Sequence, residues 1–186
     1  MGTARVQAAT VQLRDEFVLS RFGVEQRQHF RARCSPALRE VLSGQRTGWV
    51  DFDLFIESME LIDSMFGSGD NSMAWEVGGF ALQQEQGTWK SLVMRHLRPS
   101  MVVSVAKALW SSHYDGGRLM SRVVGPQALV VSILDFPQPH RAHCLAIAGW
   151  MHASLKIGPR RDPGVDELSC RCRGGASCDF RMTWED

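Results

Sequence analysis

Four side chains in the last third of the chain carry its clearest chemistry: Cys144, Glu167, Cys170 and Cys178. Three thiols and a carboxylate make up a donor set that zinc accepts, and four protein donors would close a tetrahedral shell with no open position for water or substrate. Such a site is structural, and its binding energy acts as folding energy. Cys170 and Cys178 flank a tight turn containing Gly174 and Gly175, so two strand ends can bring their sulfurs together. Glu167 lies three residues before Cys170, and Cys144 falls near the start of the preceding helix. His140 and His143 are nearby imidazoles able to stand in for Glu167. Other readings fit the same residues, because free cysteine is often just a small buried apolar side chain. Cys34 and Cys172 match no pattern and read as plain thiols.

A second group of residues invites comparison with cofactor chemistry. Tyr114-Asp115-Gly116-Gly117-Arg118 resembles the Tyr-x-Ser-x-Arg motif of haem nitric-oxide sensors, with glycine in place of the serine. His96 is the only histidine placed to serve as an axial ligand in that reading. The plainer alternative is a helix end with two glycines closing it. No nucleophile elbow, phosphate-binding loop or dinucleotide fingerprint is present, and a non-enzymatic protein is expected.

The elements that must position these residues follow from pattern. The chain has 186 residues, 44% hydrophobic and 22% charged, which suits one folded domain, 1–186. A net charge of +1 gives no general attraction to nucleic acid or to an anionic membrane. No apolar run is long enough to span a bilayer and no secretory leader is evident, so the cytoplasm, where cysteines stay reduced, is the expected location. Phe17, Val18 and Phe22 share a helical face that Gly23 ends, and Val24–Arg33 reads as a second short helix. Pro36–Leu42 reads as a third, capped by Ser35. Asp51 or Asp53 opens the next, and Met73–Gln84, Trp89–Leu97 and Ser100–Tyr114 continue the helical half. Leu119–Val124 and Ala128–Leu134 form a predicted hairpin, His140–Ile157 a long helix, and Val165–Cys172 with Cys178–Trp184 a second hairpin. That order is an α+β arrangement, with helices packed on one face of an antiparallel sheet.

Cys144-Leu-Ala-Ile-Ala-Gly149-Trp150, Val165-Asp-Glu167-Leu-Ser-Cys170, Gly174-Gly175 and Cys178-Asp-Phe180 together resemble the four-vinyl reductase domain family. The likeness is specific over Cys144–Trp184 and loose over Gly48–Asp135. It implies a fold like the small TRAPP subunits, a homodimer, and zinc held by Cys144, Glu167, Cys170 and Cys178. It further implies a pocket for a small apolar or aromatic molecule, gripped in aromatic-sensing members by a histidine and a tryptophan. His96 and Trp110 are the candidates for that pair, with Phe80, Met94 and Trp150 as candidate lining residues. The function expected is a zinc-stabilised sensor that signals to a separate protein partner. A ligand-free dimeric adaptor is the alternative, and a haem gas sensor the third reading.

Overall fold

The computed structural model describes residues 3–85, 107–157 and 160–185. The fold is α+β, as the order of elements predicts. Strand β1 (Arg5–Gln7) pairs antiparallel with β2 (Trp49–Asp51), and helices α1 (Ala8–Arg33) and α2 (Pro36–Leu42) lie between them in sequence. Helices α3 (Phe52–Phe66) and α4 (Met73–Glu85) follow, and a further helix, α5, covers residues 107–113. The second half is built from strands β3 (Arg118–Gly125) and β4 (Ala128–Leu134), helix α6 (Arg141–Leu155), and strands β5 (Arg161–Ser169) and β6 (Cys178–Glu185). The four later strands form one antiparallel sheet in the order β3-β4-β6-β5.

Local signals in the sequence account for much of this. Gly23 breaks α1 with φ of 87°, a left-handed value that glycine tolerates, so residues on its two sides form separate helical segments. Ser35 caps α2, its hydroxyl oxygen accepting the Leu38 N–H at 3.1 Å. Asp63 organises the loop between α3 and α4 by accepting the N–H groups of Asn71 and Met73 at 2.9 and 3.1 Å. In β4 and β6 alternate residues face inward, with Leu129, Val131 and Ile133 meeting Phe180 and Met182 in the core.

Helices α4 and α6 cross with their backbones nearly touching. A Cβ on Gly78 would lie 1.9 Å from the carbonyl oxygen of Ala146, and one on Gly149 would lie 2.0 Å from that of Trp75. Only glycine at both positions permits this approach, and it brings α6 and the sheet against α1 and α4. Buried side chains from both halves of the chain join in a single apolar cluster.

One boundary differs from expectation. The predicted strand Val165–Cys172 ends at Ser169, and Arg171–Arg173 form a 3-10 turn closed by Gly174 at φ 84°. Cys170 and Cys172 therefore leave the sheet, and the alternation of a strand no longer sends them to opposite faces. The predicted helix Trp89–Leu97 lies outside the described residues, as does the first part of Ser100–Tyr114.

Candidate functional site

A cavity of about 110 Å³ opens where α1, α4, α5 and α6 meet the inner face of the sheet. Its wall is largely apolar, with Leu13 and Ala81 from the early helices, Leu119, Leu129, Val131 and Met182 from the sheet, and Ile147, Trp150 and Met151 from α6. A few polar side chains converge on it: Thr10, Arg14, His113, Tyr114, Ser121 and Ser154. An apolar hollow with a small number of placed polar groups is the usual build of a small-molecule site.

The polar groups are not alike. Thr10 Oγ1 and His113 Nδ1 are hydrogen-bonded at 2.8 Å, which ties α1 to α5. Ser121 Oγ is buried and has no hydrogen-bond partner among the described residues. Arg14 is only 3% exposed. One terminal nitrogen donates to the backbone carbonyl of Thr10, and the guanidinium lies over the Phe55 ring, 4.1 Å from its centroid. Its Nε has no hydrogen-bond partner among the described residues. Burial lowers its pKa to about 10, opposed by the nearby Tyr114 phenol, so the group stays charged at neutral pH.

Beside the cavity stands a cage of rings. His143 is 2% exposed and packs against Phe52, Phe136 and Tyr114 with centroids 5.0, 4.9 and 5.0 Å away. Its Nε2 has no hydrogen-bond partner among the described residues. Burial, reinforced by the charge of Arg14 and by His140, pushes its pKa down to about 3, and the ring is neutral in the folded protein.

Of the five residues expected to contact a ligand, Trp110 and Trp150 lie on the cavity wall. Trp110 is buried and its indole N–H donates to the Gly116 carbonyl at 3.0 Å. Phe80 is half-buried, packs edge-on against Phe17 and is not among the residues that line the cavity. Met94 and His96 lie outside the described residues. Arg14, Ser121 and His113 were missed by sequence reasoning.

The cysteines gather at the other end of α6. Cys144 Sγ lies 3.5 Å from Cys178 Sγ and 3.8 Å from Cys170 Sγ, all three buried. Cys172, expected to stand apart, is exposed, yet its sulfur lies within 4.8 Å of those of Cys144 and Cys170. Glu167 is drawn to two cations: Arg141 binds its Oε2, and Arg173 approaches the same oxygen at 3.2 Å. Burial alone would raise the Glu167 pKa, but these arginines and the neighbouring Cys170 thiol outweigh it and hold the carboxyl low. The thiol of Cys144 donates to Cys178, whose sulfur also accepts the Arg171 N–H at 3.5 Å, and these donors lower the Cys178 pKa to about 6. His140 caps α6 and approaches Glu60 at 3.3 Å, and His143 packs among the rings of Phe52, Tyr114 and Phe136.

At the start of β3, Arg118 is exposed and paired with Asp135 at 2.6 Å. Tyr114 is buried among the rings, and Gly116 packs against Pro137.

No protein-family model matches the chain, and neither does any curated protein. Solved structures do match. An H-NOX protein from K. algicida, solved in its Fe(II) unliganded form, is 10% identical with a TM-score of 0.70 over 97% of both chains. An H-NOX mutant from S. oneidensis, also in an Fe(II) state, is 9% identical with a TM-score of 0.70 over 97% of this chain and 96% of that one. A third structure, from work on haem distortion in the H-NOX family, is 14% identical with a TM-score of 0.65 over 96% and 95%. The chain has the H-NOX fold.

That finding overturns the resemblance to four-vinyl reductase domains and TRAPP subunits, since the matching structures are H-NOX domains. The zinc cofactor, read from the donor set and reinforced by that resemblance, is overturned as well, because the proteins of like fold are described by haem and Fe(II). The spacing of Cys144, Cys170 and Cys178 did anticipate their meeting in space. Convergence of three sulfurs on a helix and a turn is a local property, which different folds can host.

Proposed function

We propose that this chain is a small-molecule sensor domain on the H-NOX fold, non-enzymatic, which holds its ligand in the cavity between α1, α6 and the sheet and signals to a separate protein. The observation that carries this reading is the cavity itself, apolar but with Thr10, Arg14, His113 and Ser121 on its wall, inside a fold that it shares with H-NOX domains over nearly its whole length. A ligand-free adaptor would be expected to fill that space with side chains. The test is thermal unfolding in the presence of benzene-sized probes, repeated on Val131→Phe, which places a ring in the cavity. Stabilisation by at least one probe, lost in the folded variant, is expected. Equal stabilisation of both proteins refutes the cavity as the site.

Haem is the second reading, favoured by the fold and by Tyr114 and Arg118 of the Tyr-x-Gly-x-Arg stretch. The described residues do not fit it. Arg118 is committed to Asp135 on the surface, and Gly116 has no hydroxyl to offer. The imidazole on the cavity wall, His113, is bonded to Thr10. The cavity of about 110 Å³ also falls below the roughly 300–1,000 Å³ usual for sites of cofactor or drug size. Haemin titration followed by absorption spectroscopy separates the readings. We expect no stoichiometric Soret band; one haem per chain, lost in His96→Ala, would reverse the preference.

A further inference from the structure

We infer that the cavity selects a small organic anion, an apolar body of about benzene size bearing one carboxylate, and that Arg14 is the residue that recognises its charge. The inference rests on the sensor reading above and names the class of ligand.

Arg14 is a cation in the protein interior, 3% exposed, on the wall of the cavity. Among the described residues no carboxylate pairs with it. The nearest acid in sequence, Asp15, is already held by Arg27 and Arg31 at 2.5 and 2.7 Å. Buried charges are normally paired with an opposite charge, whereas the partners of Arg14 among the described residues are one backbone carbonyl, the face of Phe55 and the nearby Tyr114 phenol. Its Nε–H remains unused. A guanidinium presents its donors as a planar fork that matches a carboxylate. The unpartnered Ser121 hydroxyl on the same wall can donate a further hydrogen bond. A cationic ligand would meet the charge of Arg14, and a neutral hydrocarbon would leave it uncompensated.

Size narrows the class. Enclosed cavities of about 150 Å³ in proteins admit benzene, and this one measures about 110 Å³ but is partly open, so a single ring is the most it can take. The ring or branched chain must therefore be small, and the rest of the wall, Leu129, Val131, Ile147 and Trp150, is suited to it. A site built around a buried polar group discriminates strongly against an analogue that leaves that group unpaired.

The experiment compares benzoate with benzyl alcohol, which have the same ring and nearly the same size but differ in charge. Calorimetric titration of the full chain should show benzoate binding at least tenfold tighter. Arg14→Gln should bring the ratio close to one, and Arg14→Lys should restore part of it. Should Arg14→Gln fail to fold, the wild-type Arg14 Nε–H resonance gives a second reading: it should shift with benzoate and not with benzyl alcohol. Equal binding of the two probes, or benzoate binding that leaves that resonance unmoved, overturns the inference while the cavity reading stands. If neither probe binds but benzene enters the cavity by NMR, the anion inference again falls alone. If benzene is excluded too, the sensor reading falls with it.

Discussion

Acidification should unfold this protein through one residue more than any other, and replacing His143 with phenylalanine should remove most of that sensitivity. The imidazole is fully enclosed by rings, and its pKa of about 3 compares with 6.5 for the free side chain. A base with a depressed folded pKa binds its proton more readily in the unfolded chain, so the unfolded state gains protons first as pH falls. The contribution is therefore intact above about pH 6.5, declines between 6.5 and 3, and is fully lost below that. At about 1.36 kcal/mol per pKa unit, the shift corresponds to roughly 4–5 kcal/mol in total, and to about 2 kcal/mol already at pH 5. That is a large share of the 5–15 kcal/mol typical of a folded domain. Phenylalanine keeps a planar ring among Phe52, Tyr114 and Phe136 and has no nitrogen to protonate or leave unpaired. Urea unfolding of both proteins at pH 7.5, 6, 5 and 4 gives the difference in stability at each pH. That difference should be small at pH 7.5 and should grow in favour of His143→Phe by about 1.4 kcal/mol per unit below pH 6.5. A difference independent of pH would show that His143 does not titrate as its surroundings dictate, and the reasoning from burial would fail.

Other perturbations have equally direct outcomes. Gly78→Ala or Gly149→Ala inserts a methyl where a carbonyl oxygen stands 1.9 or 2.0 Å from the Cβ position, and should cost about 3 kcal/mol or more by forcing α4 and α6 apart; a change below about 0.5 kcal/mol in urea unfolding would contradict the close crossing. Asp15→Asn leaves Arg27 and Arg31 without their shared carboxylate and should destabilise by about 2 kcal/mol, less than a fully buried pair because both arginines reach solvent. Burial opposes the low pKa of Asp15 but the two arginines prevail, so its contribution is present above about pH 4 and is lost as pH falls through the depressed value; the effect of Asp15→Asn should shrink at low pH. In the reduced, folded protein iodoacetamide should modify the exposed Cys172 before the buried Cys34, since burial pushes the Cys34 thiol up to about 12; mass spectrometry of the labelled peptides reads the order, and early loss of Cys34 would mean that α1 and α2 open readily.

Much of the architecture was legible because local chemistry sets it. Apolar periodicity placed the helices, Gly23 marked the break in α1, Ser35 the start of α2, and the Val- and Ile-rich runs the first hairpin. The pairing of β4 with β6 depends on long-range packing and left no local trace. The C-terminal cysteine pattern was read correctly as a meeting of sulfurs and wrongly as a family signature, since a short turn with a helix above it specifies a contact, not a fold. The cavity was harder still. Trp110 and Trp150 stand out in the sequence as aromatic residues, whereas a lone arginine in a helix does not by itself point to a cavity. Its signal was present: Thr10, Arg14, Phe17 and Val18 follow the i, i+4, i+7, i+8 spacing of a buried face, with an arginine where an apolar residue belongs.

That misplaced arginine also bears on how far the fold can be used to infer function. At 9–14% identity the H-NOX structures and this chain share an arrangement of elements, and few residues in it need be the same. An arrangement can persist as long as apolar faces meet and tight crossings such as Gly78 against α6 are kept. The chemistry of the cavity has no such protection, because each polar side chain on its wall can change with little effect on packing elsewhere. Here the wall carries a buried cation and an unpaired hydroxyl, and the turn before β3 carries glycine and a surface arginine in place of a polar clamp. A group that is costly to bury and makes no internal pair is difficult to explain by folding alone. Arg14→Met should therefore raise stability in the absence of ligand, by removing an uncompensated buried charge while filling similar volume. Urea unfolding of the ligand-free variant checks this. A stability loss of several kcal/mol would mean that Arg14 serves the fold, and the case for its serving a ligand would lose its physical basis.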